Sequence, residues 1–111
     1  MAEVTCECVI DRELYEYNAK KYINLELDEY AVEIVKTVQK APVDFNPLVG
    51  NVLKVKVPYR YRKLECKVGG GAGKTLYDFT EGVKALVCIK CCGVWSAEGV
   101  TGYAWKLVTI S

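Results

Sequence analysis

The chain has 111 residues, of which 51% are hydrophobic and 26% charged, with only three prolines; this is the composition of a packed domain, and the length suits a single one spanning residues 1–111. With no histidine, imidazole drops out of any metal, hydrolytic or pH-switch argument. The net charge of +1 conceals a polarity, because residues 1–50 carry ten acids against five bases and residues 51–111 ten bases against four acids, so the halves stand near −5 and +6.

The first residues carry acids where a secretory leader needs positive charge, and no apolar run approaches the roughly 18 residues of a membrane-spanning helix. The expectation is a soluble, intracellular, cytoplasmic protein with no membrane partner.

From Glu13 to Leu27, aromatic and apolar residues flank Asn18, Ala19, Lys20 and Lys21, which predicts a hairpin turning near Asn18. Asp28 to Lys40 suits a helix capped by Asp28 with Ala31, Val35 and Val38 on one face, but its valines and isoleucine suit a strand equally. Glu26, Asp28, Glu29 and Glu33 cluster here as solvated charges, and an acidic face opposite a basic one would permit head-to-tail contact between copies, a homo-oligomer. Pro42, Pro47 and Gly50 mark a connection.

Val52 to Val57 alternates as a strand, and the alternation carries on to Arg62. Val55, Val57, Tyr59 and Tyr61 share one parity; Lys54, Lys56, Arg60 and Arg62 share the other. The apolar parity then switches to Leu64, Cys66 and Val68, and Pro58 argues for an edge or a bend, so a curved strand of a small barrel is expected. Thr75 to Lys84 reads as loop plus a short helical turn.

Ala85 to Trp95 and Val100 to Ile110 predict a hairpin around the loop 96–99. That register sets Cys92 opposite Tyr103 and Lys90 opposite Trp105, gathering Lys90, Cys92, Thr101, Tyr103 and Trp105 on one face and Val87, Ile89, Cys91, Gly102 and Ala104 on the core face. The fold class expected is therefore mainly β, a small OB-like barrel with a short helix between strands.

Between Val68 and Thr75 the glycine cluster invites comparison with a phosphate loop, but the glycine a Walker A loop needs five positions before Gly73 and Lys74 is Val68 here. A non-catalytic protein is expected. Of the six cysteines, Cys6, Cys8, Cys66, Cys88, Cys91 and Cys92, the sequence leaves open inert core thiols, a disulfide, and zinc held by the Cys6/Cys8 and Cys88/Cys91/Cys92 groups. No metal or cofactor is assigned.

Cations alternating with rings suit single-stranded nucleic acid, whose phosphates need charge and whose unpaired bases need flat surfaces. The expected binding residues are Lys54, Lys56, Arg60, Arg62, Lys74 and Lys90 for charge, with Tyr103 and Trp105 as stacking platforms. The competing reading is a protein–protein module, an inhibitor or assembly subunit docking through its opposed charged faces.

Gly93, Val94 and Trp95, followed by Gly102, Tyr103, Ala104, Trp105, Lys106 and Leu107, resemble the closing hairpin of OB-fold single-stranded DNA-binding proteins, particularly small viral ones. The resemblance covers about a fifth of the chain. It implies a five-stranded barrel with a helix before the fourth strand, where Thr75–Lys84 lies, Tyr103 and Trp105 at the stacking positions, and single-stranded DNA ahead of RNA as ligand.

Overall fold

The computed structural model describes residues 2–61, 63–69 and 73–111. Its strands are β1 (Glu3–Tyr17), β2 (Lys20–Leu27), β3 (Leu48–Val49), β4 (Val52–Val57), β5 (Tyr59–Arg60), β6 (Lys63–Leu64), β7 (Lys67–Val68), β8 (Lys84–Ala97) and β9 (Val100–Ile110), with one helix, α1 (Glu29–Val38).

β1 pairs antiparallel with β2 and β8, β2 with β4, and β8 with β9; the ring closes where β9 meets β4 in parallel at Lys56 and Lys106. The result is a five-stranded closed barrel, mostly β, as an OB-like barrel requires.

Strict alternation builds it. Val4, Cys6, Cys8 and Ile10 of β1 face inward with Ile23, Leu25 and Leu27 of β2, Leu53, Val55 and Val57 of β4, and Val87, Ile89 and Cys91 of β8. No polar or charged residue is buried among the described residues, so hydrophobic burial carries the core without an internal ion pair.

Both long hairpins turn on two residues. Asn18 and Ala19 have φ of 51° and 61°, and Glu98 and Gly99 have 52° and 81°, the paired positive values of a tight turn whose twist matches the strands. The first turn lies where expected. The second is shorter than the expected loop 96–99, since Ala97 pairs with Val100 and Trp95 with Gly102.

A register shift between Cys91 and Gly93 then changes the pairing again, so that Cys91 faces Trp105 and Lys90 faces Lys106. The residue at Cys92 is a bulge, and an extra residue reverses parity beyond it. The expected faces of β9 are thereby exchanged: Tyr103, Trp105 and Leu107 are buried, while Ala104 and Lys106 are only partly so.

The segment from Asp28 is a helix. Asp28 Oδ1 accepts from Ala31 N at 2.8 Å, and Ala31, Val32 and Val35 are buried, so capping and one apolar face outweigh the strand preference of its β-branched residues. This helix joins the second and third barrel strands. Before the fourth strand, where a helix was expected, there is a single 3-10 turn over Leu76–Asp78 that buries Leu76, with Phe79 buried beside it.

Strand β4 stops at Val57, because Pro58 has no N–H to continue a ladder. β5 and β6 form a separate two-stranded excursion, closed by Glu65 N donating to Pro58 O at 2.8 Å, after which β7 returns to run parallel with β9 at Thr109 and Ile110. The expected curved strand is thus an interrupted one.

Cys6, Cys8 and Cys91 are buried, and all six thiols are free. Burial, with a smaller push from Cys6, raises the Cys8 thiol from 9.0 to about 12. The fold therefore favours a neutral thiol that the unfolded chain would ionise, and this share of stability is present below pH 9.0 and is lost as pH rises toward about 12. Thermal melts across that alkaline range should show a decline that Cys8→Val flattens; an unchanged pH profile in the variant would remove Cys8 as the cause.

Candidate nucleic-acid interface

The outward faces of β2 and β4, the connection after α1 and the β8–β9 hairpin enclose a cleft of about 670 Å³. Lys20, Tyr22, Lys54 and Lys56 line one side, Trp95, Ser96, Ala97 and Ala104 the other, and Phe45, Asn46 and Pro47 close it, with edges of Tyr103 and Trp105 below. Three lysines and several rings line it without one carboxylate, although the chain has 14 acids.

Alternation makes the β2–β4 wall. Because Ile23, Leu25, Leu53, Val55 and Val57 point into the barrel, Tyr22, Lys54 and Lys56 must point out, and the register sets Tyr22 opposite Lys56 and Asn24 opposite Lys54. Lys54 Nζ lies 4.3 Å from the Tyr22 ring centroid and 5.3 Å from that of Tyr17, so two rings hold its ammonium in place. Tyr15 packs 5.8 Å from Tyr22 and donates to Asn24 Oδ1 at 2.8 Å, while the Arg12 guanidinium sits 3.8 Å over Tyr15. Burial raises both Tyr15 and Tyr22 phenols, keeping these rings neutral.

The opposite wall depends on a glycine. Trp95 pairs with Gly102, and a methyl group at Gly102 would lie 2.5 Å from Trp95 Cζ2, so the indole occupies the volume that any larger side chain would fill. Phe45 stacks on it with centroids 6.1 Å apart and planes 16° from parallel. Both rings remain accessible, Phe45 at 57% and Trp95 at 38%.

Phe45 reaches that position because its connection is tied to β9. Asp44 and Phe45 N donate to Thr101 O at 3.0 Å, Thr101 N returns a bond to Asp44 Oδ2 at 2.8 Å, and Ala41 N donates to the Tyr103 hydroxyl at 2.8 Å. The rings are fixed from two directions.

Of the residues expected from sequence, Lys54 and Lys56 lie in the cleft. Trp105 is 1% exposed and Tyr103 9%, and the Trp105 indole N–H is used by Gln39 Oε1 at 2.9 Å. Their expected role as stacking platforms is corrected: they form the floor, and the accessible rings are Tyr22, Phe45 and Trp95. The Cys92 bulge is the cause. Arg60 belongs to the β5–β6 excursion with its guanidinium 5.2 Å from the Tyr61 ring, and Arg62 lies outside the described residues.

Lys74 is also elsewhere, its ammonium 4.9 Å from the Phe79 ring. The turn after it is Leu76–Asp78, whose Asp78 carboxylate takes Thr75 N at 2.6 Å, so the long helix whose N-terminus receives phosphate in a Walker loop does not follow Lys74. Lys90 is on the outer face of β8 beside Lys106.

A separate groove of about 480 Å³ contains Glu7, Glu26 and Asp28 with Lys84 and Leu86, sharing no residue with the cleft. Among the described residues the ion pairs are Lys21 with Glu16 at 3.8 Å and Lys36 with Glu33 at 3.9 Å, and neither uses a cleft lysine. No described helix is long and apolar enough to cross a membrane. No family model, no curated protein and no solved structure matches the chain.

Proposed function

We propose that this chain binds single-stranded nucleic acid, with DNA ahead of RNA, in the cleft between β2, β4 and the β8–β9 hairpin, without covalent chemistry. The observation that carries the reading is a cleft with Lys20, Lys54 and Lys56 on one wall, Trp95 on the other, Phe45 stacked on Trp95 where the cleft closes, and no acid in its lining. Ammonium groups attract the phosphates, and the rings take up the hydrophobic faces of bases that a duplex would hide. The same part of a barrel, the faces of its second and third strands between two hairpin tips, is where oligonucleotides bind in OB folds.

Anisotropy of a labelled single-stranded oligothymidylate of about 16 nucleotides, the upper site size of one such barrel, tests this at low and moderate salt with duplex as competitor. Saturable binding that duplex does not displace is expected. Lys54→Ala with Lys56→Ala should weaken it and reduce the slope of log K against log salt by about 1.4, at about 0.7 for each lost phosphate contact on a single strand. No binding by the wild-type chain at low salt would overturn the reading and leave the opposed charged faces as a protein-docking surface.

A further inference from the structure

The barrel closes at a row of like charges. Lys56 of β4 pairs with Lys106 of β9, and Lys106 in turn pairs with Lys90 of β8, so the three side chains stand side by side on one outer face. Neighbouring strands lie about 4.8 Å apart, a separation at which directly opposed like charges destabilise a sheet. None of the three belongs to an ion pair among the described residues. The row begins at the cleft, where Lys56 lines the wall and Ala104 precedes Lys106 by two positions on the same face of β9. It ends at the first acid, Glu3 of β1, which pairs with Lys90.

We propose that a single strand bound in the cleft leaves it at Lys56 and crosses β9 and β8, with its backbone phosphates on Lys106 and Lys90. The inference rests on the reading above and extends it, giving the ligand an exit direction around the barrel and a footprint longer than the cleft. An anionic backbone crossing the row neutralises its mutual repulsion, which without a ligand is offset only at the Lys90 end, where Glu3 stands opposite.

The test uses two oligothymidylates, one of about 5 nucleotides, near the smallest site of such a barrel, and one of about 15, near the largest. Lys90→Ala with Lys106→Ala should lower affinity for the longer oligomer about tenfold and reduce its salt slope by about 1.4, while leaving the shorter one unchanged. Lys36→Ala with Lys84→Ala removes the same charge from α1 and the acidic groove, and should change neither. The exit path is overturned if the ladder variant binds the longer oligomer like wild type, or if both lengths weaken equally, as a general loss of positive field would produce. Should the wild-type chain bind neither length, the parent reading fails and this one with it; loss confined to Lys54→Ala with Lys56→Ala would leave the cleft standing and remove only the exit.

Discussion

Replacing Trp95 by alanine is expected to weaken single-strand binding about 5- to 140-fold, since one base–aromatic stack is worth about 1–3 kcal/mol and about 1.4 kcal/mol is tenfold. The salt slope should not move, because no phosphate contact is lost. That separation distinguishes a ring from a charge, and sets this variant apart from the Lys54 and Lys56 pair. The fold should survive, because Trp95 lies near the hairpin tip and outside the buried core, although its packing over Gly102 and against Phe45 is lost. Gly102→Ala approaches the same ring from beneath: the added methyl would lie 2.5 Å from Cζ2, so the indole must leave its seat and its stacking on Phe45, and affinity should fall in the same direction. In the wild-type chain, bases stacking on Trp95 should change its fluorescence during titration. A folded Trp95→Ala protein with unaltered affinity would remove the platform from the proposed site.

The residues show why part of this was legible in the sequence. Val52–Val57 has clean alternation bounded by a turn and a proline, and its outward lysines are where parity places them. The same signal was present in Val4, Cys6, Cys8 and Ile10, which extend β1 well before the expected hairpin. By contrast, the only mark of the Cys92 bulge is a strand glycine, Gly93 with φ of 90°, which does not state the resulting register, yet the bulge alone decides whether Trp105 or Ala104 faces the cleft. Phe45 was illegible for a different reason. It sits in an irregular connection and joins the site through backbone bonds to Thr101 and Tyr103, more than fifty residues away, which no local pattern encodes. Trp95 had a usable signal: a tryptophan seven residues before a strand glycine, with Glu98 and Gly99 as a two-residue turn between them, places ring over glycine.

Trp105→Ala should destabilise the chain by about 3–5 kcal/mol, the cost of deleting a buried aromatic. For a domain of about 100 residues each kcal/mol lowers Tm by about 4–8 °C, so the variant should melt at least about 12 °C early. The ring is 1% exposed, lies opposite Cys91 on the inner side of the barrel, and bonds Gln39 just beyond α1, so it ties the helix to β9. Trp105→Phe divides these contributions. It keeps most of the buried surface but leaves Gln39 Oε1 without its donor, a loss of about 1 kcal/mol for a single hydrogen bond. The phenylalanine variant should therefore remain folded and retain the salt slope of wild type, while Trp95→Ala, at the same residue type ten positions away, should cost less stability than Trp105→Ala and remove affinity. Thermal melts of the three proteins beside their titrations give the comparison. Were Trp105→Ala as stable as wild type and deficient in binding, the indole would belong to the surface, the Cys92 bulge would be absent in solution, and the two tryptophans would have exchanged their roles.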